Sequence, residues 1–212
     1  MIPQQEVSVR LQKLHSATLV VALVLASALV VTLAFQKRDL MERLQEAGAR
    51  SRDPHRGLYL PAVDIETVAG DSVRLGESAN GGVQVLFVFN TTCEFCKASL
   101  PAWKQIASEL GGKGDVQIYG VSLRSAEETE AFVSEHGIGF PVVSLTDRKL
   151  RALYRSHIVP QTVVLDSDGR VEYARVGAVT EDAVIDSIIA QTNSTIGRAT
   201  WVASPTIADS LP

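Results

Sequence analysis

The sequence predicts an α/β fold behind a single apolar N-terminal segment, and three observations carry that prediction. A seven-residue apolar run, Val83 to Phe89, gives way to a helical pattern and then to a second apolar run, Val116 to Ser122, which is the signature of a βαβ unit. Two alternating stretches around Asp166-Ser167-Asp168-Gly169 read as an antiparallel hairpin. Residues 17–35 hold nothing more polar than Thr18, Ser27 and Thr32, a stretch long enough to span a bilayer.

Taken in order, residues 1–16 form a polar flank with Arg10 and Lys13, and 17–35 form the expected transmembrane helix. A cleaved signal peptide would have a shorter apolar core followed by small residues, whereas Gln36-Lys37-Arg38-Asp39 follows here. A retained anchor is therefore expected. Counting basic residues on its two sides (Lys37, Arg38, Arg43, Arg50, Arg52 and Arg56 after it, Arg10 and Lys13 before it) points the C-terminal part toward the cytoplasm, although four of those six lie beyond the residues adjoining the membrane and large domains translocate regardless of flank charge. Residues 36–56 read as a stalk and linker, with Leu40, Leu44 and Ala47 on one helical face and breakers from Ser51 to Gly57.

The folded domain is expected over 57–190. It opens with a hairpin, Leu60 to Thr67 and Ser72 to Leu75, turning at Ala69-Gly70-Asp71. Val83 to Phe89 reads as a strand buried on both faces. From Glu94 to Leu110 the apolar residues Phe95, Leu100, Trp103, Ile106 and Leu110 recur at helical spacing until Gly111-Gly112 stops them. Val116 to Ser122 is the next strand, Ala126 to His136 a Glu-rich helix, and Pro141 to Ser144 a short strand. Asp147 to Tyr154 is expected as a helix with Leu150 and Leu153 facing inward. Thr162 to Leu165 and Val171 to Val176 pair as the late hairpin. Thr180 to Ala190 closes the domain as a helix, with Thr180 as candidate N-cap. Residues 191–212 lack a sustained pattern and are expected as a flexible tail.

The chain contains two cysteines, Cys93 and Cys96, placed where the buried strand turns into a helix. The unpaired amides and positive dipole end of that helix favour a thiolate at Cys93. Two intervening residues, Glu94 and Phe95, let one helical turn bring the sulfurs together, so that attack by Cys93 on a disulfide can be resolved by Cys96. The expected chemistry is dithiol-disulfide exchange, with no cofactor and no metal. Competing uses of the pair are weaker. Zinc needs two further ligands, and His15, His55, His136 and His157 show no paired spacing. A copper-delivery module could add His157, but such proteins space their cysteines by three residues. A structural disulfide across so short a loop removes little chain entropy. With 212 residues, 21% charged and a net charge of -4, the chain has an ordinary globular composition, and the lack of a basic cluster beyond its first quarter argues against nucleic acid.

The order of elements, with Leu60-Pro61, Cys93-Glu94-Phe95-Cys96-Lys97, Pro101 and Ile158-Val159-Pro160-Gln161-Thr162, resembles the membrane-anchored thiol-disulfide oxidoreductases of the TlpA and ResA type, in the redoxin superfamily. The resemblance implies a thioredoxin-like fold, a mixed central sheet flanked by helices with an N-terminal hairpin extension. It implies that Pro101 kinks the first helix and that Pro160 is a cis-proline beside the cysteines. The backbone of Val159 would then pair with an extended substrate, and Glu94 and Phe95 would tune the thiols. It further implies protein disulfide or dithiol partners, a membrane-bound electron donor, and a setting on the outer face of a bacterial cytoplasmic membrane. The chain departs from the family where Asn90, Thr91 and Thr92 replace aromatic residues before the first cysteine, where Phe95 replaces a frequent proline, and where Ser99 replaces the glutamate of ResA-type proteins. A thiol peroxidase of the peroxiredoxin kind shares the superfamily, but its threonine three residues before the reactive cysteine is Asn90 here.

Overall fold

The computed structural model describes residues 27–29, 31–38, 41, 52–78 and 81–203, with side chains as far as Arg198. The N-terminal flank, most of the expected span 17–35, most of the stalk and residues 204–212 lie outside the described residues. Residues 27–29 and 31–38 are helical and exposed, and Thr32 Oγ1 donates to the Ala28 carbonyl at 2.7 Å. Among the described residues no helix is long and apolar enough to cross a membrane.

Strands β1 (Val63–Glu66) and β2 (Ser72–Leu75) form an antiparallel ribbon, with Val63 opposite Leu75. The main sheet comprises β3 (Val83–Phe89), β4 (Val116–Ser122), β5 (Val142–Ser144), β6 (Gln161–Leu165) and β7 (Val171–Val176), in the order β5-β4-β3-β6-β7. β3, β4 and β5 run parallel, while β6 is antiparallel to both β3 and β7. The sheet is therefore mixed, as expected. Helix α1 (Glu94–Leu110) joins β3 to β4, α2 (Ala126–His136) and the short α3 (Arg148–Leu153) follow, and α4 (Asp182–Ala203) ends the described chain.

β3 is buried along its whole length, as its unbroken apolar run foretold. Val83, Val85, Phe87 and Phe89 face the core shared with α1 and α4, where Trp103 stacks on Phe87 at 5.2 Å and Ile188 is fully buried. Leu86 and Val88 face the other core, with Leu60, Leu75, Tyr154 and Leu165. One strand thus supplies both hydrophobic layers, the arrangement expected of a central strand covered on both sides.

The exception on β3 is Gln84, fully buried on this central strand. Its Oε1 accepts from the Gly76 amide at 2.9 Å, and its Nε2 lies 2.8 Å from the Arg74 carbonyl, 3.0 Å from the Glu77 carbonyl and 2.9 Å from Gln117 Oε1. The amide fastens the end of the N-terminal ribbon to the main sheet. A second fastening is the β6–β7 turn, where Asp166 Oδ1 accepts from the Asp168 and Arg170 amides and Gly169 adopts φ +82. A Cβ at Gly169 would lie 1.9 Å from the Gly76 carbonyl oxygen, so the close approach of the two turns requires glycine.

Several local expectations need correction. The final helix does not stop at Ala190 but runs to Ala203, so residues 191–203, expected as part of a tail, are helical. The reason lies in polar residues that hide their polarity locally: Thr192 and Thr195 are buried, their hydroxyls donating to the Ile188 and Gln191 carbonyls. Arg198 Nη2 also reaches Glu172 on β7 at 2.6 Å. The first hydrogen bonds of α4 go to the Glu181 carbonyl, which places the cap one residue beyond Thr180. Leu153 is exposed, because α3 ends there and Tyr154 takes the inward place, donating from its hydroxyl to the Pro61 carbonyl at 2.8 Å. Phe95 does not join the buried face of α1 and is 69% exposed, since Cys96 and Ser99 occupy the inward positions of the first two turns.

Candidate active site

The β3–α1 junction is built by a short chain of local hydrogen bonds. Asn90 Oδ1 accepts from both the amide and the hydroxyl of Thr92, at 3.1 and 3.0 Å, and the Asn90 carbonyl accepts from the Cys93 amide at 3.1 Å. This side-chain turn delivers Cys93 in an extended conformation (φ -87, ψ 115) as the N-cap of α1. Its sulfur accepts from the Cys96 amide at 3.4 Å, doing with sulfur what a serine oxygen does at other helix starts. The Cys93 sulfur thus sits at the N-terminal end of α1, with an oriented backbone donor aimed at it.

The two cysteines are free thiols with different surroundings. Cys93 is half-buried, whereas Cys96 is fully buried among Phe87, Phe89 and Val179 of the core on the α1 side. Burial pushes the Cys96 thiol up from its ordinary 9.0 to about 12, assisted by its hydrogen bond with Cys93 and opposed by the Asn90 backbone. At neutral pH Cys96 is therefore protonated and inaccessible while Cys93 faces solvent. That asymmetry separates an attacking sulfur from a reserve one.

Across from the pair, the loop between α3 and β6 brings in the residues expected there. The Val159–Pro160 peptide bond is cis, and the Val159 carbonyl oxygen lies 4.0 Å from Cys93 Sγ. Pro160 is buried and Val159 half-buried. Cys93, Cys96, Val159 and Pro160 thus converge on one spot. Glu94 and Phe95 do not converge with them. Glu94 points to solvent and pairs with Lys97 at 2.9 Å, and Phe95 is exposed beside the cysteines. His157 is exposed, and among the described residues no group of three or more His, Cys, Asp or Glu side chains is placed to hold a metal.

Two further residues, Ser99 and Trp103, support the site through long-range hydrogen bonds. Ser99 is buried one turn below Cys96, donating to the Phe95 carbonyl at 2.8 Å and accepting from the Val179 amide at 3.0 Å. It fastens α1 to the loop before α4 where a glutamate would place a charge. Trp103 Nε1 donates to Thr162 Oγ1 at 3.0 Å, tying the helix that carries the cysteines to the strand that follows Pro160. The Asn90 turn was legible in principle, as Asn-Thr-Thr before a helix is a common local-bonding signal. The long-range partners of Ser99 and Trp103 left no sequence signal.

Residues 57–174 match the AhpC/TSA family, more than half of the chain. The chain belongs to this family. Among curated proteins it is similar to the thiol-disulfide oxidoreductase ResA of Bacillus subtilis, with 28% identity over 131 residues, which cover 61% of this chain and 72% of that protein. ResA of Halalkalibacterium halodurans is 28% identical over 123 residues, covering 57% and 68%. These names agree with the enzyme class expected of this redoxin, a thiol-disulfide oxidoreductase. Among solved structures, StoA from Bacillus subtilis aligns over 64% of this chain and 98% of its own, with a TM-score of 0.54 and 19% identity. A thioredoxin-family thiol:disulfide interchange protein from Chlorobium tepidum TLS aligns over 68% and 99%, with a TM-score of 0.54 and 20% identity. The fold is thioredoxin-like.

Proposed function

We propose that this family member is a membrane-tethered reductase of protein disulfides, working through Cys93 as nucleophile and Cys96 as resolving thiol. The observation that carries the reading is the pairing of an N-cap sulfur, held by the Cys96 amide at 3.4 Å, with a second thiol buried directly behind it. The Cys93 thiolate attacks one sulfur of a substrate disulfide, forming a mixed disulfide and releasing the other sulfur, which takes up a proton. Cys96 then loses its proton and attacks Cys93, so the Cys93–substrate bond breaks and the second substrate thiol departs. Two electrons and two protons pass to the substrate, leaving a Cys93–Cys96 disulfide. A membrane-bound dithiol donor restores the pair by the reverse exchange.

During this sequence the main chain at Val159 faces the attacking sulfur, where it offers a partner to an extended peptide. The apolar run at 17–35 supports tethering to a membrane, and the resemblance to the TlpA and ResA type, against the count of flanking basic residues, supports a bacterial cytoplasmic membrane with the catalytic domain on the outer side. A C-terminal alkaline phosphatase fusion tests this arrangement. It is expected to be active, while the same fusion to a cytoplasmic reporter stays silent; the opposite pattern would place the domain inside and remove exported proteins as substrates. Peroxide reduction is the second reading, favoured by the family match, but Asn90 stands where a peroxidase threonine would sit. Peroxide consumption by the reduced chain would move the assignment to that activity.

A further inference from the structure

Gln161 directly follows Pro160 and is buried completely, on the face of β6 that also presents Val163 and Leu165. An amide in such a place costs stability unless its bonding capacity is used, and here it is used only in part. Nε2 donates to the Arg155 carbonyl at 3.0 Å, while Oε1 is buried with no hydrogen-bond partner. An apolar side chain of the same volume, such as methionine, would fill the place without a stranded polar atom, so stability alone does not account for the residue.

What the single bond does is visible in the loop. Arg155 has φ +52 and is the one non-glycine residue with positive φ among the described residues. The left-handed turn there is where the chain leaves α3 and starts toward Val159. Ser156 is held at its start by the Arg151 carbonyl, and the Pro160 carbonyl accepts from the Gly177 amide at 2.8 Å. The Gln161 side chain joins these two ends across residues 155–160. The Val159 carbonyl that faces Cys93 Sγ at 4.0 Å is carried between them.

We propose that Gln161 is a positioning residue for exchange: by holding the Arg155 turn it fixes the Val159 backbone for docking of an extended, cysteine-containing peptide. The role rests on the reductase reading above, and it makes a selective prediction. A small disulfide needs only the Cys93 sulfur, whereas a peptide disulfide also needs the Val159 main chain in place.

The test compares the full chain and its Gln161→Met variant, with a synthetic peptide disulfide and with hydroxyethyl disulfide. Methionine keeps the volume and loses the bond. The expected result is a KM for the peptide raised about tenfold, as for one lost main-chain docking bond, with the hydroxyethyl disulfide rate and the Cys93–Cys96 reduction potential unchanged. Equal KM values, or equal losses with both disulfides, would overturn the role. Should the methionine variant fold poorly, Arg155→Ala and Arg155→Gly remove the same side chain and differ in their tolerance of positive φ. Alanine is expected to raise the peptide KM above that of glycine, and identical values would overturn the proposal. A parent chain that exchanges with neither disulfide would instead refute the reductase reading itself.

Discussion

Replacing Cys96 with alanine is expected to arrest exchange at the mixed disulfide, whereas replacing Cys93 with alanine removes the reaction at its first step. The two thiols differ in access and surroundings, and this produces the two outcomes. Cys93 is half-buried and bonded by the Cys96 amide, while Cys96 is fully buried with its thiol pushed up to about 12. With Cys93 gone, the remaining thiol is neither ionised at neutral pH nor reachable, and turnover should fall at least about a thousandfold. With Cys96 gone, attack still occurs but nothing displaces the substrate, so a covalent adduct accumulates. Non-reducing electrophoresis after incubation with an oxidised protein substrate checks both. A trapped adduct in Cys96→Ala, absent from Cys93→Ala, is expected; trapping on Cys96 instead would invert the roles assigned to the pair.

Gln84→Ala is expected to be the costliest of the polar-core changes. The amide serves the Gly76 amide, the Arg74 and Glu77 carbonyls and Gln117 Oε1. Truncation leaves several buried groups without their partner and opens a cavity under the ribbon. At 1–3 kcal/mol for each group left unsatisfied, offset by water entering the gap, a loss of about 4 kcal/mol is expected. Urea denaturation measures it. A loss below about 1 kcal/mol would mean that the ribbon is held by its apolar contacts alone, chiefly Leu60 and Leu75. The cysteine site lies at the other end of β3, so the folded fraction of this variant should exchange thiols normally.

The strands and helices that stand on strong local patterns were legible in the sequence. β3, α1, β4 and α2 begin and end where hydrophobic periodicity and the glycine stops place them. The cysteine pair was equally legible, because its meaning depends on spacing and on a strand-to-helix junction, both local properties. What the sequence hid depends on tertiary neighbours. Gln84 looks like an interruption in a strand until its partners from the ribbon arrive. Phe95 fits a helical stripe by spacing, but the first two turns of α1 bury Cys96 and Ser99 instead, and the phenyl ring is left outside beside the thiols. The last helix outruns its apolar pattern since Thr192 and Thr195 satisfy their hydroxyls within it. Pro160 stands sixty-odd residues from the cysteines, and only the resemblance to the redoxin family suggested that it would meet them.

On the proposed reading, Cys93 and Cys96 form a reversible redox couple used for reduction. Equilibrating the full chain in dithiothreitol and glutathione buffers, quenching with acid and counting alkylated thiols by mass gives its potential directly. A single two-electron transition at about -250 mV or below, in the range of reducing dithiols, is the predicted result. A transition near about -120 mV would instead describe a donor of disulfides, contradicting the reductase, and no transition at all would contradict the exchange mechanism.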